Sequence, residues 1–416
     1  MSSKHEVTRR GFLGVTTTLA GGAAFASHTN AAAQEDASDA STASLEDIVA
    51  FDGAHQAGID TPAQSQLNLI AFDFRAGATV EDARRLLTVW TEDARRLCAG
   101  QNPLGSLEPE MVEDPARLTI TCGVGARFFD IIGKTEQRPS WLTQLPSFEH
   151  DHLDPQWAGG DIVLQICCDD PLYLAFATRH MIRAGIDYVQ QRWRQGGFLP
   201  TGPATAGTTP RNLFGQKDGT VNPRSAQEFD EQVWINSEDD SPEWLHGGSA
   251  MVVRRIEMHL DSWEQLDRFT REVVTGRTLD TGAPLGQNDE FDEADYELRD
   301  AAGIKVIDPH SHMALASPVI ESERFLRRAY NYDEPVAPDA SESSNSGLVF
   351  ICFQRDPRKQ FIPVQQRLAA GDRMNEWITH IGSAVFAIFP GTSSSDMNNQ
   401  AGAKKPSYLG QQLLES

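Results

Sequence analysis

Apolar residues run almost unbroken through Leu67-Asn68-Leu69-Ile70-Ala71-Phe72-Asp73-Phe74, which predicts a strand. The period then changes. Leu86, Leu87, Trp90, Ala94 and Leu97 recur at helical spacing behind Thr79, a residue type suited to an N-cap, so a helix is expected through Leu97. Arg117 to Cys122 and Asp161 to Cys168 read as strands, Pro171 to Ile186 as a second helix, and Tyr188 to Trp193 as a further strand. The order β-α-β-β-α-β is that of a ferredoxin-like unit. The pattern then repeats. Ser249 to Leu260 reads as a strand and Ser262 as the cap of a helix through Val274. Leu348 to Phe353 reads as a central strand, Val364 to Ala370 and Asn375 to Ile378 as helix, and Ala384 to Phe389 as a closing strand. The expected class is α+β, with ferredoxin-like halves over 47–225 and 226–392 and an insertion in the second half carrying His312 and Arg327. Ser237-Glu238-Asp239-Asp240, the stretch Asp339 to Ser346 and the tail over 393–416 read as exposed segments.

Composition narrows the class of partner. With 416 residues, 40% of them hydrophobic, the chain can build a substantial core as one large domain or two ordinary ones. A formal net charge of −23 argues against nucleic acid or anionic lipid and is compatible with cationic substrates or metal ions. Cys98, Cys122, Cys167, Cys168 and Cys352 lack CxxC spacing, and Cys167 and Cys168, adjacent on a strand, point to opposite faces. At least one cysteine is left unpaired, and Cys122, Cys167, Cys168 and Cys352, in strand-like apolar runs, are expected as buried thiols. Residues 1–33 contain Thr8-Arg9-Arg10-Gly11-Phe12-Leu13, a mildly apolar stretch and Ala31-Ala32-Ala33, the pattern of a twin-arginine signal peptide. Export to the periplasm or the extracellular space is the corresponding expectation, with no transmembrane span in the mature chain. Residues 34–46, rich in Ala, Ser, Asp and Glu, read as a solvated linker.

One loop concentrates unusual chemistry. In Arg211-Asn212-Leu213-Phe214-Gly215-Gln216-Lys217-Asp218-Gly219-Thr220-Val221-Asn222-Pro223, glycines bracket Asp218, and Asn222-Pro223 prevents a continuing helix or central strand. A tight turn must present the carboxylate. Its wording resembles the Gly-x-x-Asp-Gly motif of dye-decolorising peroxidases, in the exported, deferrochelatase-like branch of that family. The likeness continues through His55-Gln56-Ala57-Gly58-Ile59, Gly159-Gly160-Asp161-Ile162, His310-Ser311-His312-Met313-Ala314-Leu315-Ala316-Ser317-Pro318, Leu326-Arg327-Arg328-Ala329-Tyr330-Asn331-Tyr332 and Gly347 to Asp356. These phrases span residues 50 to 392 in the family's order.

The resemblance implies a haem b peroxidase, one haem per chain, of the dimeric α+β barrel type with haem against the second half. It would reduce hydrogen peroxide and oxidise dyes or other organic donors through a ferryl intermediate. His312 would be the axial ligand of the iron, with His310 its rival, and Asp289, Glu290 or Asp292 would supply a carboxylate partner. Asp218 would shuttle a proton and Arg327 would stabilise the departing oxygen, with Arg328 structural. Activity is expected at acidic to mildly acidic pH. Gly215, Gly219 and Arg224 would contribute to cofactor binding. Where the family's exported branch reads His-x-Arg with a further arginine after the proline, this chain has Ala314 and Val319, so Arg224 or Arg277 would have to anchor the haem propionates. None of the eight tryptophans and six tyrosines stands out as an electron relay. The alternatives are an exported protein that releases iron from haem, with haem as substrate, and a carrier that binds haem without turnover. A scaffold binding metal through the acidic loops is disfavoured, because the carboxylates lack ligand spacing.

Overall fold

Strand β1 (Gln66–Phe74) buries nearly every residue, because both of its faces are covered. Leu67, Leu69 and Ala71 point to one apolar layer, and Ile70, Phe72 and Phe74 to another. That is why the segment reads as continuously apolar and not as alternating. The computed structural model describes residues 47–201, 208–338, 343–393 and 407–416. The signal peptide over 1–33, the linker over 34–46, most of the tail and part of the loop Asp339 to Ser346 lie outside the described residues.

Next along the chain come α1 (Val80–Cys98), β2 (Thr119–Val124), α2 (Ala126–Ile131), β3 (Ile162–Cys168), α3 (Pro171–Gly185), β4 (Val189–Phe198) and α4 (Ala226–Gln232). The second half supplies β5 (Ser249–Met258), α5 (Leu260–Trp263), α6 (Arg268–Thr275), α7 (His312–Ala316), β6 (Leu326–Arg327) and β7 (Tyr330–Glu334). It is completed by β8 (Asn345–Gln354), α8 (Phe361–Gly371) and β9 (Ile378–Ile388), and α9 (Gln411–Glu415) follows. All strand pairings are antiparallel. The order repeats between halves, β4-β1-β3-β2 and β9-β5-β8-β7. Pairing of β2 with β9 and of β4 with β7 joins the two sets, and the additional β5–β8 pairing closes the sheet into a barrel. The protein is α+β, as its pattern predicts.

Inside the barrel, residues of both halves share one core that includes Leu69, Val163, Met251, Ile351 and Phe386. Outside it, α1 and α3 cover the first half. Thr79 and Asp82 form a reciprocal capping box at the start of α1. Trp90 donates its indole N–H to Met181 O at 2.9 Å across to α3. A Cβ on Gly185 would lie 2.7 Å from the Trp90 ring, so only glycine permits this approach. Cys167 faces the barrel interior and Cys168 the helical layer, and all five cysteines are buried and free. No helix among the described residues is long and apolar enough to cross a membrane.

Three expectations are corrected. The helix expected from Ser262 is divided in two: Ser262 bonds back to His259 O, and Asp267 caps α6 by accepting from Thr270 N at 2.9 Å. Residues 375–378 are not α-helix. Asp372 accepts from Met374 N and caps a 3-10 turn over Arg373–Glu376, after which β9 begins at Ile378. The end of the tail is not an exposed segment: Tyr408, Leu409, Leu413 and Leu414 are buried in the first-half helical layer, and Leu409 N donates to Thr91 Oγ1. Apolar side chains at these spacings stabilise the chain end more by burial than by solvation.

Candidate active site

The loop bearing Asp218 is built by local bonds. Asn212 Oδ1 accepts from Phe214 N and Gln216 N, while Gly215 at φ +81° makes the turn and Asp218 N donates to Pro210 O. Lys217 forms an ion pair with Glu290, and Thr220 Oγ1 donates to the same carboxylate at 3.1 Å. Glu290 therefore grips the chain on both sides of Asp218. Burial alone would push the Glu290 carboxyl up, but Lys217 and the hydroxyl donors outweigh it and hold it below its usual value. Gly219, at φ +108°, turns the chain again, bringing Asn222 N to Gly219 O at 3.0 Å.

Asn222 then joins the loop to β6. Its Nδ2 donates to Arg327 O at 2.6 Å, and its Oδ1 accepts from Arg327 N at 2.9 Å. β6 is itself held by pairing of Leu326 and Arg327 with Phe353 and Cys352 of β8. The amide thus fixes the root of Arg327 relative to the turn that carries Asp218. The guanidinium lies 3.4 Å from Asp218 Oδ1, an ion pair longer than a good hydrogen bond, and both side chains are partly buried.

His312 opens α7, whose N-cap is the fully buried Ser311. Its Nδ1 donates to Asp372 Oδ2 at 2.6 Å. Asp372 sits at the end of α8 and is buried, and its second oxygen accepts from Met374 N. Burial opposes a charged imidazole, but the charge and hydrogen bond of Asp372 prevail, so the His312 pKa is raised. With Nδ1 engaged, Nε2 is the ring nitrogen left for a metal. The rival His310 is exposed and bonds to Gly371 O instead.

Asp218, Arg327 and His312 line a single cavity of about 1100 Å³, measured with its open mouth. Ile256, Met258, Leu348 and Phe350 from β5 and β8 form the sheet side of it, and Leu368 and Met374 come from α8 and the turn after it. This is a largely apolar cavity with several placed polar groups, the usual form of a small-molecule or cofactor site. His380 and Arg254 also line it. Burial, then the charge of Arg254, push His380 down to about 3, so it stays neutral. Arg254 is sealed from solvent and paired with Asp151.

The other expected site residues are placed differently. Gly215 shapes the turn against Leu279 and does not line the cavity. Gly219 and Arg224 border a neighbouring cavity that also takes in Asn222 and shares Asp218 and Arg327 with the first. Arg224 donates to Thr220 O and lies over the Phe291 ring at 4.0 Å. Arg277 is spent on Gly282 O and Glu290 O. The carboxylate partner of His312 is Asp372, not Asp289, Glu290 or Asp292: Glu290 holds the Asp218 loop, while Asp289 and Asp292 accept from nearby backbone amides. Asp372 gave one signal in sequence, an acid directly after Gly371 at a helix end. Nothing local marked His380 or Arg254.

Comparisons with known proteins agree with this geometry. The family models for the N-terminal and C-terminal parts of Dyp-type peroxidases match residues 56–199 and 209–393. A dye-decolorizing peroxidase of Thermobifida fusca (strain YX) is 38% identical over 87% of this chain and 84% of its own length. A deferrochelatase of Yersinia pestis bv. Antiqua (strain Nepal516) is 35% identical over 88% of this chain and 85% of its own. The crystal structure of a DyP-type peroxidase from Cellulomonas bogoriensis, 44% identical, superimposes with a TM-score of 0.83 and covers 89% of this chain and 99% of that one. With both halves matched in order and one cavity collecting His312, Asp218 and Arg327, the chain belongs to the Dyp-type peroxidase family.

Proposed function

We propose that the cavity binds haem through His312 and that Asp218 and Arg327 act on peroxide there. The single observation that carries this reading is their meeting in one largely apolar cavity: a histidine with Nδ1 tied to a buried carboxylate, and an acid–arginine pair. The volume and largely apolar lining suit a large, mostly apolar group, and the donor set fits an iron that needs one imidazole. When bound, haem supplies an iron with an open position for peroxide and an oxidising power that organic donors discharge one electron at a time.

The chain's own residues do the rest. Asp372 fixes the tautomer that leaves Nε2 of His312 as the ligand atom and makes that nitrogen more electron-donating. Asp218 takes a proton from one peroxide oxygen and returns it to the other, which leaves as water. Arg327 places fixed positive charge where negative charge builds on the departing oxygen, in a site already partly withdrawn from water. Asn222 and Glu290 keep this pair in register from behind.

The repeated strand order supports reading residues 47–225 and 226–392 as two ferredoxin-like halves of the dimeric α+β barrel type. The twin-arginine pattern supports export to the periplasm or beyond. A second reading, iron release from haem, is favoured by the relatives named deferrochelatase. A carrier without turnover needs neither Asp218 nor Arg327. The test is mutational. Asp218→Ala and Arg327→Leu should retain the Soret band of bound haem but react with hydrogen peroxide about a hundredfold more slowly. His312→Ala should lose haem while His310→Ala keeps it. Unchanged peroxide rates, or haem loss from His310→Ala alone, would overturn these assignments.

A further inference from the structure

The cavity wall is largely apolar, and its deeper charged groups already face one another, so an ionised arm of its ligand is best met by a cation nearer solvent. The mouth is marked by exposed Val221 and by Pro318 and Arg324, whereas Ile256, Leu348 and Met374 are buried. Ala314 and Val319 supply no charge. Of the cationic side chains in the wall, Arg254 is sealed and held by Asp151 and Ser383, and Arg327 faces Asp218. Arg324 differs from both. Its guanidinium is partly open and, among the described residues, hydrogen-bonds to Glu321, whose side chain is 84% exposed, with Glu228 near enough to feel its charge. A pair so open to water is weak and easily exchanged for a better-fixed anion. The root of Arg324 is nevertheless firm: its carbonyl accepts from Gln360 and its N–H donates to Glu321 O.

We propose that Arg324 is the positioning residue for a carboxylate arm of the haem, releasing Glu321 to bind a propionate at the cavity mouth. This rests on the haem reading given above. A guanidinium fork matches a carboxylate with two parallel N–H···O bonds, and such charge-assisted pairs are the stronger class of hydrogen bond. Glu321 then acts as a stand-in anion that keeps the guanidinium near the mouth while the cavity is empty.

The test is the rate of haem transfer from the full-length holoprotein to apomyoglobin, followed at the Soret band. Arg324→Ala should release haem about tenfold faster, and Arg324→Lys should fall between it and the wild type. Haem dimethyl ester, whose arms carry no charge, should leave wild type and Arg324→Ala at equal rates. Glu321→Gln should slow the release of haem, because the competing anion is gone. Faster loss of both haem and its ester from Arg324→Ala would mean a merely structural role and would overturn the proposal, as would no change with haem. Absence of a Soret band in the wild type would overturn the haem reading and this one together.

Discussion

Replacing Asn222 by alanine isolates the link between the two halves of the peroxide-handling pair. The substitution leaves the Asp218 and Arg327 side chains in place, but it removes both bonds from the Asn222 side chain to the Arg327 backbone, at 2.6 and 2.9 Å. Each such bond contributes about 0.5–1.5 kcal/mol net, so the loss should be about 1–3 kcal/mol of stability. β6 keeps its pairing with β8, so the barrel should survive. The larger effect should be on chemistry. The Asp218–Arg327 separation of 3.4 Å leaves little tolerance, and a displacement of about 1 Å in a catalytic group typically costs about a hundredfold in rate. Asn222→Asp should be worse than Asn222→Ala, since it loses the donor to Arg327 O and adds a like charge near Asp218. Stopped-flow mixing of haem-loaded protein with hydrogen peroxide measures the rate, and thermal denaturation measures the stability. Haem affinity should be nearly unchanged in Asn222→Ala, since His312 and Asp372 lie on other elements. A rate within twofold of wild type would refute the claim that Asn222 sets the register of the pair.

Three further perturbations follow from contacts in and around the site. Protonated imidazole cannot ligate iron, so haem loading should fall as pH drops through the raised value of His312. Asp372→Asn removes the charge that raises it. Its loading should persist to lower pH, with a plateau affinity about 10–100-fold weaker, and equal midpoints in a spectrophotometric pH titration would contradict this. Glu290 is held below its usual value, so its stabilisation is present above the ordinary carboxylate range and lost as pH falls through the folded value. Glu290→Gln should therefore cost about 1–3 kcal/mol near neutrality. The gap from wild type should close below about pH 4, where an ordinary Glu protonates, and a pH-independent gap in chemical denaturation would count against the Lys217–Glu290 link. Leu413 is fully buried, so Leu413→Ala should destabilise the fold by about 2–5 kcal/mol, and a loss below about 0.5 kcal/mol would show that the docked C-terminal segment contributes little.

The sequence carried most of the first half, because periodicity, the Thr79 cap and the buried strands all act over short distances. It carried less of the second half. Ser262 and Asp267 are both suitable caps five residues apart, and only the accepting bond from Thr270 decides between them. The strand-like β9 segment from Ile378 was obscured by a turn capped at Asp372. The site divided along the same line. Asp218 and Arg327 are marked by their own motifs, but their meeting depends on Asn222 bridging 105 residues of chain. Asp372 reaches His312 across 60 residues, while the nearer acids at 289–292 serve the Asp218 loop or their own turn. Long-range polar pairs leave no period in a sequence. Tyr408, Leu409, Leu413 and Leu414 did carry an apolar pattern, but over too short a span to distinguish a docked helix from a solvated end.

The most direct test of the central claim is the absorption spectrum of purified protein supplied with haem, before and after one equivalent of hydrogen peroxide, and again after adding a dye. A histidine-ligated ferric Soret band that shifts with peroxide and returns as the dye is bleached is the predicted result. A band that peroxide only destroys would contradict turnover and favour iron release or carriage, and no band at all would contradict haem binding by His312.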